Sequence, residues 1–124
     1  MARRDLTGAI DFAYLESYTA GDQAVIDEVL SLFREQAALW RRLLDPQVET
    51  EGWRDAVHAL KGAAGGIGAR DLAQACAAAE LAADSGHGAR ASGLSGVLDG
   101  LDLVLADIAA YQHEQALRSL KGDG

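Results

Sequence analysis

The spacing of apolar residues in the first half of the chain is the feature that most restricts its fold. Between Asp22 and Leu44, apolar residues recur at intervals of three and four, which places them along a helix with 3.6 residues per turn. They are Val25, Ile26, Val29, Leu32, Phe33, Ala37, Trp40, Leu43 and Leu44. This pattern predicts one long amphipathic helix. Asp45-Pro46 should end it, because proline disfavours helix in the residue before it.

Similar patterns predict three more long helices and a short one at the start. The helices are predicted at 11–18, 22–44, about 50–67, about 70–83 and from a Ser92 cap through Tyr111, with a loop at 84–88. The chain has a single proline and few β-branched residues, so it offers little material for strands. We therefore expect an all-α fold. Its architecture should be an antiparallel up-down four-helix bundle, with the short extra N-terminal helix as a lid.

Length and charge limit both the organisation and the partners of the protein. With 124 residues, we expect a single domain over 1–124, with frayed ends at 1–9 and 120–124. The formal net charge of -8 disfavours binding to nucleic acid or to an anionic membrane. Neither class of partner is expected.

The cysteine content and the distribution of acidic residues favour a cytoplasmic protein. Cys76 is the single cysteine, so it has no internal disulfide partner, and its helical position predicts a packed core residue rather than a nucleophile. No apolar leader segment follows the first residues. Asp102 and Asp107 interrupt the longest apolar run, which argues against a bilayer span.

The segment from His58 to Gly68 contains the main candidate for chemistry. One side of a helix through this segment carries the apolar residues Trp53, Ala56, Leu60, Ala63 and Ile67. The opposite side carries His58 together with Glu51, Arg54, Asp55, Lys61, Gly62 and Gly65. Each helical glycine costs about 1 kcal/mol relative to alanine, so a glycine-rich strip beside a histidine indicates space for a partner.

An exposed histidine with these neighbours suits phosphoryl transfer. A neutral imidazole is a nucleophile near pH 7, because its ordinary pKa is about 6.5. It then needs access and positive charge near the transferred oxygens. Lys61, three residues after His58, would supply the charge, and the glycines would supply the access. The simpler interpretation is an ordinary surface histidine on a glycine-rich helix end.

Other chemical motifs do not fit the sequence. A phosphate-binding P-loop requires lysine after its last glycine, whereas Lys61 precedes Gly62. The remaining histidines, His87 and His113, lie in distant segments and form no metal-binding pair with each other or with His58. We expect no metal site, and we interpret His87 and His113 as solvated surface residues.

The histidine segment resembles the signature of histidine-containing phosphotransfer (HPt) domains. The matching residues are His58, Leu60, Lys61, Gly62, Gly65, Ile67 and Gly68, followed by Leu72, Cys76 and Glu80. The helix pattern from Asp11 to Leu44 also fits, so the resemblance covers nearly the whole chain. Gly66 departs from it, since many members carry Asn or Ser there, and we expect a less well supported helix end.

The resemblance implies a phosphocarrier with defined residue roles. His58 would accept a phosphoryl group at Nε2 from the aspartate of a receiver domain and pass it to another receiver. Lys61 would stabilise charge, and Glu80 would orient the ring. The residues expected to contact the partner are Gly62, Gly65, Arg54 and Asp55. Further apolar contacts are expected from the second helix near Phe33.

The resemblance also indicates which partners and cofactors to expect. The partners would be receiver domains of response regulators and of hybrid histidine kinases. The protein would have no ATP site and no cofactor of its own, because Mg²⁺ would belong to the receiver. A single acceptor on a closed bundle is compatible with a monomer. The alternative is a helical adaptor that binds a receiver or kinase domain without phosphotransfer.

Overall fold

The computed structural model describes residues 6–122, which form five helices and contain no strand. The helices are α1 (Phe12–Tyr18), α2 (Gln23–Leu43), α3 (Thr50–Gly66), α4 (Arg70–Leu81) and α5 (His87–Gly122). The all-α prediction is confirmed. Residues 1–5, 123 and 124 lie outside the described part of the chain.

The four long helices form a closed, antiparallel ring. Helix α2 contacts α3 and α5, and α4 contacts the same two helices. Between α2 and α5, Arg34 bonds to Gln112 whereas Arg41 pairs with Asp102, so the two helices run in opposite directions. This is the up-down four-helix bundle that the periodicity predicts.

Short polar residues begin the first two helices, as the sequence indicates. The Asp22 carboxylate accepts hydrogen bonds from the amides of Ala24 and Val25 and caps α2. Asp11 caps α1 in the same way through Tyr14. Helix α2 ends at Leu43, before the proline.

The turn between α3 and α4 requires a glycine. Gly68 has a φ of +79°, and a Cβ on it would lie 3.0 Å from the carbonyl oxygen of Asp11. The amide of Asp11 also donates to the carbonyl of Gly68 at 2.9 Å. The segment before α1 is thereby fixed to the end of the histidine-bearing helix.

The short helix α1 covers one end of the bundle, as predicted. Phe12 and Leu15 are buried, and the Phe12 ring stacks on Tyr111 of α5 at 4.4 Å between centroids. The hydroxyl of Tyr18 donates a 2.6 Å hydrogen bond to the carbonyl of Gly66. The helix end at Gly66, which we expected to be weakly supported, therefore has a partner from α1.

The last helix begins earlier than the sequence indicates, at His87 instead of after a Ser92 cap. The cause is Arg90, which is buried although it is charged. Its guanidinium donates to the carbonyls of Ala83, Pro46 and Val48 and to the hydroxyl of Thr50. These contacts fix the first turn of α5, and the loop predicted at 84–88 instead lies at 82–86.

Thr7 and Ala9, within the end expected to fray at 1–9, are bonded to a buried acid, and residues 1–5 lie outside the described part of the chain. Asp107 of α5 is completely buried, and its carboxylate accepts from the amides of Thr7 and Ala9 and from the Thr7 hydroxyl. At the other end, α5 extends to Gly122. Within residues 6–122, none of the helices is long and apolar enough to cross a membrane.

We expect Asp107→Ala to lower the free energy of unfolding by at least about 2 kcal/mol, because donors of the first segment lose a charged acceptor. Urea denaturation measures the change. Asp99→Ala, which alters an exposed acid on the same helix, is the control and should change stability by less than about 0.5 kcal/mol. Equal effects would contradict the role given to Asp107.

Candidate functional site

His58 projects from the middle of α3 toward solvent and toward α4. Its side chain is 69% exposed, and its Nδ1 lies 3.2 Å from the Oε2 of Glu80. When Nδ1 carries the ring proton, it donates to this carboxylate, and Nε2 keeps its lone pair. The sequence placed both residues in the site, and the structure brings them together across two helices.

Lys61 completes a three-residue cluster with Glu80 at its centre. The ammonium of Lys61 lies 2.9 Å from Oε1 of Glu80, so the two carboxylate oxygens contact different basic groups. Lys61 is also one turn after His58 on α3, which keeps its charge near the imidazole. A cation and an exposed ring nitrogen therefore share one small area of surface.

The electrostatics of the cluster keep Glu80 ionised. The hydrogen bond from Lys61 lowers the pKa of the Glu80 carboxyl below its ordinary value of 4.5. Partial burial opposes this shift, and the hydrogen bond to His58 adds to it. At neutral pH the carboxylate is a charged acceptor for both neighbours.

The helix surface beside His58 is bare. Gly62, Gly65 and Gly66 are exposed, and a Cβ on any of them would have no atom within 4 Å. The strip that the sequence predicts is therefore open to solvent. Nothing in the packing of residues 6–122 requires these glycines.

Arg54 and Asp55, the two charged residues expected to contact a partner, differ in their contacts. Arg54 pairs with Asp84, which follows α4, at 2.8 Å, and its side chain is partly exposed. Asp55 is exposed. Both lie about one helical turn before His58 on α3.

An apolar groove lies between α1, α2 and α3, and Gly66 of the glycine strip forms part of its lining. It has a volume of about 190 Å³ and is lined by Tyr18, Val29, Leu32, Phe33, Gln36, Ala63, Gly66 and Ile67. The sequence pointed to the region near Phe33 and counted Leu32 in the apolar stripe of an amphipathic helix; in the structure Leu32 is 53% exposed. Val25 and Leu43, counted in the same stripe, are also exposed.

A second apolar spacing on α2 is the signal that sequence reasoning missed. Val25, Leu32 and Leu39 are seven residues apart, and all three are exposed. Val29 and Leu43 lie between or after them on the same side. Helix α2 thus has one apolar face for the core and another toward the surface beside α3.

A family comparison agrees with this geometry. The model of the Hpt domain matches residues 24–114, about three quarters of the 124 residues. The chain belongs to the Hpt domain family. As an Hpt protein, it is a histidine phosphotransfer protein of a phosphorelay, and none of the comparisons favours an adaptor without chemistry.

Two solved structures resemble this Hpt protein along most of its length. Histidine phosphotransferase ShpA from Caulobacter crescentus is 56% identical, with 91% of this chain and 99% of that one covered, at a TM-score of 0.76. The histidine-containing phosphotransfer protein ZmHP2 from maize is 22% identical, with 94% and 90% covered and a TM-score of 0.68, and it supports the fold alone. No curated protein sequence matches the chain.

The other candidate groups of the Hpt protein lie away from His58 or are unreactive. Cys76 is buried in α4, and burial raises the pKa of its thiol to about 11, so its thiolate is scarce at neutral pH. His87 and His113 are exposed at distant points of α5. Residues 6–122 contain no cluster of three or more histidine, cysteine or acidic side chains that is able to hold a metal ion.

We expect Glu80→Gln to reduce the acid sensitivity of the fold. Because the pKa of Glu80 is lowered in the folded state, its contribution to stability is complete above about pH 4.5 and is lost as pH falls through the folded value. The difference in unfolding free energy between wild type and Glu80→Gln should therefore be constant near neutrality and shrink in acid.

Urea denaturation at a series of pH values measures this difference. Glu35→Gln, at an exposed position of α2, is the control and should leave the pH dependence of the wild type unchanged. A constant difference between wild type and Glu80→Gln down to pH 3 would contradict the assignment.

Proposed function

We propose that His58 is the residue that carries the phosphoryl group of the relay, on Nε2. The single observation that supports this most strongly is the hydrogen bond of Nδ1 to Glu80 on an otherwise exposed ring. That bond favours the tautomer in which Nε2 has a free lone pair directed away from Glu80. Glu80 is the orienting residue in this proposal.

The transfer step requires no general base from this chain. The Nε2 lone pair attacks the phosphorus of an aspartyl phosphate, the N–P bond forms, and the P–O bond to aspartate breaks. The carboxylate of the aspartate leaves with the electron pair. The reverse step, with a second receiver aspartate as the acceptor, returns His58 to its neutral state.

Lys61 stabilises the transferred group in this proposal. Its ammonium lies on Glu80 in the free protein and is one helical turn from the imidazole. A phosphoryl group on Nε2 adds negative oxygens within reach of the flexible lysine stem. Positive charge near these oxygens lowers the energy of the transition state.

The surface around His58 supports receiver domains as partners. Gly62 and Gly65 leave room for a receiver loop to approach the ring, and Arg54 and Asp55 border the contact area. The apolar groove and the exposed face of α2 provide the desolvated part of such an interface. Receivers of response regulators and of hybrid histidine kinases are the two expected classes.

The proposal gives the protein the role of a carrier, not of an enzyme. The phosphoryl group and the Mg²⁺ that supports its transfer come from the receiver, so the chain needs neither ATP nor a cofactor of its own. The charge of -8 supports a role without nucleic acid or an anionic membrane. We place the protein in the cytoplasm as a monomer.

We expect wild-type protein to acquire acid-labile, alkali-stable phosphate when it is incubated with a phosphorylated receiver. His58→Gln should acquire none, because the acceptor nitrogen is lost. His113→Gln, at an exposed position of α5, is the control and should be labelled like wild type. If wild type and both variants bind the receiver stably but none of them acquires phosphate, the result would favour the adaptor without phosphotransfer.

We expect Gly62→Leu to slow labelling by at least tenfold while the helix content is unchanged. The leucine would fill the bare strip beside His58 and keep the receiver aspartate at a distance from Nε2. Gly96→Leu makes the same change at an open, exposed position of α5 and should transfer at the wild-type rate. Equal rates for both variants would show that the strip is not the route of approach.

A further inference from the structure

We propose that Trp53 is a positioning residue for phosphotransfer, because its indole fixes the peptide group that carries Glu80. This inference rests on the proposed roles of His58 and Glu80. It adds a buried residue that has no contact with the phosphoryl group or with the partner. The argument depends on how α3 and α4 are joined.

Two side chains of α3 are bonded to neighbouring residues of α4. The Nε1–H of Trp53 donates to the carbonyl oxygen of Ala79 at 3.1 Å in a fully buried position. Five residues later, about 7.5 Å along the helix, His58 contacts Glu80. The indole bond and the imidazole bond therefore join the same two helices at adjacent residues of α4.

The bond to Ala79 acts directly on Glu80, because both belong to one peptide unit. The carbonyl of Ala79 and the nitrogen and Cα of Glu80 lie in a single plane that does not rotate about its C–N bond. An indole that fixes the oxygen of this plane also limits where the Cα of Glu80 can lie. Only the side-chain torsions of Glu80 remain free to adjust the carboxylate.

This peptide unit lies where a helix is ordinarily least stable. Helix α4 ends at Leu81, so the Ala79 carbonyl is among the last four, which lack an ordinary helical partner. Within the main chain it accepts from the amide of Ala82 in a tighter turn. The indole supplies a second, buried donor, which prevents the end of α4 from fraying next to the site.

Helix α5 packs closely against the same residue of α4. A Cβ on Gly93 would lie 3.1 Å from the Cα of Ala79 and 3.2 Å from its Cβ. The α5 backbone therefore lies directly against Ala79, the residue whose carbonyl accepts from the Trp53 indole. Ala79 has little freedom to move toward either helix. The Cα of Glu80, the next residue, is therefore fixed in its position along the α3 axis.

Phosphotransfer depends on the position of Glu80, because the hydrogen bond between His58 and Glu80 weakens when the distance between Nδ1 and Oε2 increases. Its length is 3.2 Å, so a displacement of a few tenths of an ångström weakens it substantially. Without this acceptor, the ring proton is free to occupy Nε2, where it blocks the attacking lone pair. Loss of the Trp53 donor should therefore change the tautomer of a histidine that Trp53 does not touch.

The test is the imidazole tautomer of His58, measured by ¹H–¹⁵N correlation spectroscopy of the unphosphorylated full chain at a pH above 8. The Nδ1–H form should predominate in wild type. Trp53→Phe, which keeps an aromatic body but removes the donor, should at least double the Nε2–H fraction and slow labelling about fivefold.

Trp40→Phe is the matched control, because it makes the same change at a buried tryptophan of α2 that contacts Phe33 edge-on. It should keep the wild-type tautomer and rate, even if it lowers stability. A wild-type tautomer in folded Trp53→Phe would overturn the proposal. Equal tautomer changes in both variants would also overturn it, because they would indicate a general packing effect.

Gly93→Ala provides a second route, since its methyl group would press on Ala79 without altering Trp53. It should raise the Nε2–H fraction as well. If Trp53→Phe does not fold, Gly93→Ala decides alone, and a wild-type tautomer there overturns the inference. The tautomer is measured without a phosphoryl donor, so this measurement is independent of the labelling experiment. A wild-type protein that accepts no phosphate would refute the proposed function, whatever its tautomer.

Discussion

The packing of α3 against α4 is the constraint on which the rest of the structure depends. The histidine and its carboxylate partner come from different helices. Their contact therefore exists only when α3 and α4 are correctly positioned relative to each other along their axes. A buried indole bond and a surface ion pair join the same two helices. The site is therefore a property of this helix pair rather than of the local sequence around the histidine.

The bundle keeps the histidine exposed while it buries almost everything on the other side of the same helix. Trp53, Val57 and Leu60 are inaccessible to solvent, whereas His58 is more than two-thirds exposed. The buried core beneath the exposed imidazole fixes the helix that bears the ring without covering the ring. This combination suits a carrier that must present one group to successive partners.

Polar groups inside the bundle fix its ends. Asp107 holds the first described residues against α5, and Arg90 joins the two connections at the other end of the helices. Both are charged, but each has several hydrogen-bond partners, which offset part of the cost of burial. Both groups lie away from the middle of α3, where His58 is found.

Periodicity alone was sufficient for the number of helices, because apolar residues must face the core at intervals of about 3.6. It was also sufficient for the exposed face of α3, since His58 and the glycines cannot share a side with Trp53 and Leu60. Asp22 and Pro46 marked the limits of α2 through local chemistry. These features depend only on residues that are close in the chain.

Contacts between distant residues decided the rest. The start of α5 at His87 depends on Arg90 reaching the α2–α3 connection, and the burial of Asp107 depends on Thr7, one hundred residues away. The apolar groove exists because α2 carries more apolar surface than its neighbours cover. Sequence by itself thus determined which face of each helix is apolar. Only the tertiary structure decided which of those faces are covered, because coverage depends on how neighbouring helices pack.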